Sequence, residues 1–371
     1  MNRALVAGAL VGLAGCQLII GDIEIPADDP RDLAALEGAW RLYGLADGAA
    51  LDARLVFDDA GGIGYGEGEV EPRQLRRDPD TTTRYRATFG DGLGELVGRF
   101  DAASGIGLFT APEGAPVFAI VIREPAAGAR LPGGWSATAG VTGAGLLVGG
   151  VSLLDPGTAG YVETRYPLDG SGPIERMVAV DEDPTDPTRR GLVPLDGMGG
   201  GRWLTPAPGG GFAVGVQRVA AQGAAVVVWE PGEALPATSV VCYGIAQWGG
   251  ETATRVRAGR FGDEVRWEDG RAGSAVAASG GYRLDAAYGF FEGIGTLVLP
   301  DAAGRVFAVL PVEPGPDPRV ALAAHWGFGL CLRGEAAAVV DAGVGEAGVG
   351  DAAVDAAVDG GWTGDAGRDA D

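Results

Sequence analysis

The sequence predicts an all-β protein: three tandem antiparallel β-barrel or sandwich units of about 95 residues each, followed by a disordered acidic tail. Three observations predict it. Short runs rich in Val, Phe, Tyr and Thr alternate with Asp-Gly, Gly-Gly and Pro clusters at the roughly 8–12-residue spacing of antiparallel strands. The same phrases recur at a fixed period along the chain. No window outside the first residues and the tail carries an apolar stripe at the 3.6-residue helical period.

Taken in order, the first element is a leader. Arg3 gives a basic start and residues 4–15 form an apolar run. Twelve residues are too few to span a bilayer core, which takes about 20. They fit the apolar stretch of a secretory signal peptide. The run ends in Leu13-Ala14-Gly15-Cys16, which resembles the bacterial lipobox. The resemblance implies cleavage before Cys16, a diacylglyceryl thioether on its sulfur and an acylated amino group carrying palmitate-like chains. Several chains together anchor stably, at about 0.8 kcal/mol per buried CH2. In such lipoproteins Asp after the Cys favours the inner membrane. Gln17 therefore implies the outer membrane, with the body facing the periplasm or the cell surface. An ordinary signal peptide with a chance Cys is the alternative. Residues 16–36 then read as a lipidated tether, with Leu18 to Ile25 as an alternative edge strand.

Units follow at 37–130, 131–222 and 223–333. Gly105-Ile-Gly-Leu-Phe-Thr-Ala-Pro and Gly293-Ile-Gly-Thr-Leu-Val-Leu-Pro are alike, and each precedes an apolar strand. Those strands carry Phe118 and Phe307, with Phe212 between, in steps of 94 and 95; Trp40 and Trp135 are also 95 apart. Within the first unit, Arg84 to Phe89 alternates so that Tyr85, Ala87 and Phe89 share one face of a strand. The phrase around Trp40 resembles the Gly-x-Trp opening of lipocalin-like barrels. The pair Gly281-Tyr-Arg-Leu-Asp285 and Gly293-Ile-Gly295 resembles tandem bacterial β repeats. These resemblances imply small antiparallel barrels, in some cases with an apolar cavity. Splitting each unit into two blades would instead make a six-bladed β-propeller.

Cys242 and Cys331 fall in the first and last strands of the third unit. A closed barrel pairs those strands, so a disulfide is expected there, two buried thiols being the alternative. The tail, residues 334–371, holds nine acids and one Arg in an Ala/Gly/Val background, which predicts disorder.

Charge and residue inventory narrow the function. Acids outnumber bases 50 to 28, a net charge of −22, which argues against nucleic acid as a partner. One histidine, His325, rules out His-pair metal sites within the chain. No Gly-x-Ser-x-Gly elbow is present, and no catalytic residue, metal site or cofactor is assigned. The exact Gly343-Val-Gly345-Glu-Ala-Gly348 lies in the tail, without the strand and helix a dinucleotide site needs. Glu67, Glu69 and Glu71 read as a solvated face. Asp181, Glu182, Asp183 and Asp186 could offer oxygens to Ca²⁺ or form a plain polar loop. Arg73, Arg76, Arg77, Arg84 and Arg86 could pair internally or bind an anionic glycan or headgroup. Trp203, Trp229, Trp248 and Trp267 could line a ligand surface or pack. The expectation is an envelope lipoprotein held to the membrane by its acyl chains, a non-enzymatic scaffold or binder of an envelope protein or glycan. The alternatives are a carrier of a small apolar ligand and a propeller enzyme acting on envelope glycans.

Overall fold

The computed structural model describes residues 33–333 apart from 47–48, 67, 72–73, 78–84, 91–92, 112–116, 142–146, 159, 167–172, 198–199, 220–221, 249–250, 279–280, 292, 303, 305 and 313–326. The residues expected to form a signal peptide, with Cys16, His325 and residues 334–371, lie outside the described residues.

The described chain is three antiparallel, barrel-like sheets. The first comprises β1 (Gly38–Ala46), β2 (Ala49–Phe57), β3 (Ile63–Tyr65), β4 (Leu75–Arg77), β5 (Tyr85–Phe89), β6 (Gly94–Asp101), β7 (Ile106–Thr110) and β8 (Phe118–Arg123). The second comprises β9 (Gly134–Val141), β10 (Leu147–Gly157), β11 (Gly160–Tyr166), β12 (Ile174–Glu182), β13 (Arg190–Pro194), β14 (Arg202–Pro206), β15 (Phe212–Val219) and β16 (Gln222–Trp229). The third comprises β17 (Thr238–Trp248), β18 (Glu251–Phe261), β19 (Glu264–Trp267), β20 (Ala272–Ser274), β21 (Val276–Ala278), β22 (Gly281–Leu284), β23 (Gly295–Pro300), β24 (Val306–Val312) and β25 (Gly327–Arg333).

In each sheet the first strand pairs with the last: β1 with β8, β9 with β16 and β17 with β25. The second sheet closes completely. The first has its seam between β3 and β4, spanned by backbone bonds between Ile63 and Glu71 and from Leu75 N to Gly61 O. The third has its seam between β20 and β21, adjacent segments that pair with β19 and β22 respectively. Three continuous sheets replace the six blades of a propeller, so that alternative architecture falls.

Two boundaries differ from the sequence expectation. The strand 222–229 completes the second barrel, although the expected boundary at 222/223 assigned it to the third unit. The reason lies in the repeat. The Phe118 strand is the closing strand of its sheet, whereas the Phe212 and Phe307 strands are next to last and are followed by β16 and β25. Reading the three as equivalent ends the second unit one strand early. The Phe side chains also diverge: Phe118 and Phe212 join the core between the barrels, while Phe307 points into the third lumen. The first barrel's packing begins before residue 37, inside the range 16–36 expected as a tether. A helical turn at 33–36 buries Leu33 and Leu36 against the first barrel, and Leu36 O accepts a hydrogen bond from Trp40 Nε1 at 2.7 Å.

Burial follows from which faces each strand must hide. β5 has water on one side, so it alternates: Tyr85, Ala87 and Phe89 are buried while Arg86 and Thr88 are not. β7 and β8 are buried on both faces, which is why their sequences read as unbroken apolar runs. One face fills a lumen and the other packs against neighbouring barrels. Trp40, Phe57, Phe100 and Phe109 fill the first lumen in edge-to-face contacts, with centroids 5.1–5.7 Å apart. A single apolar core then joins all three barrels, with Tyr43, Ile120, Trp135, Trp229, Leu299 and Leu330 among its members.

Candidate functional site

Three places gather chemistry outside the apolar cores. The first is the lumen of the second barrel. Alternation along β11 turns Tyr161 and Glu163 inward, and β14 does the same with Arg202 and Leu204. Arg202 donates from both terminal nitrogens to the two oxygens of Glu163, at 2.7 and 2.8 Å. Arg176 Nε adds a third bond at 2.7 Å. Burial by itself would raise the Glu163 carboxyl; the two guanidiniums outweigh it and bring it down to about 2. The fork geometry suits a bidentate carboxylate.

The second is the junction of the first and second barrels. The outer face of β1 carries Arg41 and Tyr43. Arg41 pairs with Asp52 at 3.2 Å and with Asp186 on the β12–β13 loop. Arg189 of the same loop reaches Asp52 at 2.8 Å and Asp183 at 3.6 Å, and lies over the Trp203 ring. Burial tends to raise the Asp183 carboxyl, but bonds from Thr185 and the nearby Arg189 and Arg41 hold it below its ordinary value. The Asp181–Asp186 cluster, weighed as a calcium loop, is thus a docking loop whose acids Asp183 and Asp186 serve arginines. Among the described residues, no group of three or more His, Cys, Asp or Glu is placed to hold a metal ion.

The third is a small crevice between the first and third barrels, at the edge of the shared apolar core. Strands β7 and β8 line one wall; β17, β18 and β25 line the other. Its charged member is Arg255, paired in register with Gly244.

The remaining sequence candidates are placed as follows. Cys242 and Cys331 are register partners across β17 and β25, joined by a disulfide and fully buried. Arg76 and Arg86 both bond Glu95, at 2.8 and 3.1 Å, and Arg77 lies over the Tyr85 ring. The described part of the basic cluster therefore pairs internally. Trp229 sits in the shared core and Trp267 in the third lumen, where Arg257 stacks on it at 4.9 Å. Arg257 also donates to the carbonyls of Gly289 and Phe290, pinning the loop whose rings plug that lumen. Its burial, and then Arg271, lower its proton affinity against the pull of Asp269. Glu163, Arg202 and Arg255 were not singled out in the sequence. The inward parity of Tyr161-x-Glu163 was the available signal for the first of them.

No protein-family model matches the chain. Nor does a search of curated proteins find a relative.

Proposed function

We propose that this is a lipid-anchored protein of the outer membrane, facing the periplasm or the cell surface, which works without catalysis as a scaffold or binding body. The anchor follows from the Leu13-Ala14-Gly15-Cys16 pattern after a short apolar run. The scaffold role is supported by one structural observation: three barrels with side-chain-filled lumens share a single apolar core. Such packing resists relative movement of the barrels, because densely packed interiors deform little. The filled first lumen, with Trp40, Phe57 and Phe100 in mutual contact, counts against a carrier that holds its ligand inside a barrel.

Density separation of membranes from the producing cell tests this reading. Wild-type protein should co-sediment with the outer membrane, and Cys16→Ser should leave that fraction. Wild-type protein in the soluble fraction would overturn it.

A further inference from the structure

We infer that the outer face of β11, β12 and β13 on the second barrel docks a partner protein through a basic segment, one whose apolar side chains are flanked by Lys or Arg. The inference deepens the binding role proposed above, on which it rests, and makes no use of the anchor. The outer sides of β9, β15 and β16 are taken up by the shared core, with Trp135, Val214 and Val227 buried there; β11, β12 and β13 contribute nothing to that core. Tyr161, Val178 and Leu192 turn into the lumen, so Val162, Met177, Ala179 and Val193 turn outward. Val162 is the register partner of Met177, and Ala179 that of Val193. Leu195 N donates to Met177 O at 3.0 Å, which sets Leu195 beside Met177. Apolar side chains from three neighbouring strands thus form one patch. Met177 is 41% exposed and Leu195 60%. Of the seven large apolar side chains exposed among the described residues, four lie on β12 or just after β13: Ile174, Met177, Val180 and Leu195. The exposure is therefore concentrated on this barrel, where scattered single residues would mean little.

The rim gives the partner its charge. Asp155 is the register partner of Val162. Glu175 precedes Met177 by two residues and Asp181 follows Ala179 by two, so both share the outer side of β12. All three acids are exposed, and among the described residues none of them pairs with an arginine. Glu95 and Glu264, on the first and third barrels, are by contrast matched with Arg76, Arg86 and Arg266. An apolar centre inside a polar rim is the anatomy of a protein interface, and unmatched carboxylates on that rim select a cationic partner. A second copy of this face would set acid against acid. Residues 334–371, with nine acids and one Arg, carry the wrong sign too, as does an anionic membrane surface. The face is the outside of a closed barrel and so convex, which suits a partner laid along it better than a small molecule that must be enclosed.

Photolabelling of the full-length protein in phosphatidylcholine nanodiscs tests it. The probe is an amphipathic peptide of Leu and Lys carrying one photo-leucine, with adducts mapped by peptide mass spectrometry. Adducts should fall on peptides containing residues 155–181 or 191–195. Added salt should weaken the labelling, and the same peptide with Glu in place of Lys should label far less. Met177→Ser combined with Leu195→Ser should lower labelling about tenfold. Val276→Ser, which removes an exposed apolar side chain from the third barrel, should leave it unchanged. Circular dichroism of both variants should match wild type. Adducts confined to other peptides, equal labelling by the Glu peptide, or undiminished labelling of the double variant would each overturn the inference. None of these results would touch the anchored scaffold, which sedimentation of Cys16→Ser reads separately.

Discussion

The hydroxyl of Tyr43 in the first barrel lies 2.6 Å from Thr205 Oγ1 in the second, and both residues are fully buried. This hydrogen bond crosses the core that unites the barrels. It lies beside the Arg41–Asp52–Asp186 pairs on the same outer face of β1. The junction is therefore apolar with a few polar links, which specify one orientation of the two barrels as well as hold them.

Tyr43→Phe should cost about 1–2 kcal/mol in chemical denaturation, since it strands the buried Thr205 hydroxyl. Burial, and then Asp52, push the Tyr43 phenol above its ordinary value of 10.0. The folded state therefore holds this proton more tightly than the unfolded chain does. The resulting stability is complete below pH 10 and falls as pH rises above it. Tyr43→Phe should be less sensitive to pH there than wild type, as read by denaturation midpoints between pH 9 and pH 11. Equal sensitivity would contradict the assignment.

Gly223 at the start of β16 meets the first barrel at Ala50. A Cβ on Gly223 would come 2.1 Å from the Ala50 Cβ. Gly223→Ala should therefore force the β15–β16 hairpin away from β2 and destabilise the protein by about 1–3 kcal/mol. Thermal unfolding checks it. An unchanged midpoint would mean that the two barrels do not meet there.

Glu163→Gln removes the anion between two guanidiniums and should destabilise by about 3–5 kcal/mol, because the cations are left buried without their partner. The pH sign is opposite to that of Tyr43. The Glu163 carboxyl falls from 4.5 to about 2 on folding, so its contribution is present above pH 4.5 and is lost as pH drops towards 2. Urea midpoints of wild type and variant should converge across that window. A constant gap from pH 7 to pH 2 would contradict the ion-pair account.

The disulfide joins residues 89 apart and closes the first strand of the third sheet onto the last. Cys242→Ser should cost roughly 4–5 kcal/mol in the chain-entropy picture. Because both cysteines are fully buried, the bridge should resist reductant in native protein and yield only on unfolding. Alkylation after mild reduction, followed by intact-mass analysis, checks this. Prompt double alkylation of native protein would contradict it.

Much of this architecture was legible in the residues. Tyr85, Ala87 and Phe89 alternate inward as their spacing requires, and the positions of Cys242 and Cys331 near the ends of one unit anticipate their pairing. The tight turn at Asp59-Ala-Gly61-Gly62 is built on a positive φ of 83° at Gly61. The shared core was not legible, because an apolar run such as residues 118–122 reads the same whether its second face meets another sheet or a ligand. The end of the second barrel was misplaced because matching Phe118 with Phe212 equates a closing strand with a penultimate one. The acids of 181–186 were readable as a cluster, and Arg189 lies on the same loop, but Arg41, the partner of Asp186, lies on another barrel and only the fold brings it there.

Intact-mass spectrometry of protein extracted from its own membrane tests the central claim most directly. The account predicts a chain that begins at Cys16 and carries a diacylglyceryl group and an amide-linked acyl chain. A chain that begins elsewhere, or one whose Cys16 is unmodified, would contradict it.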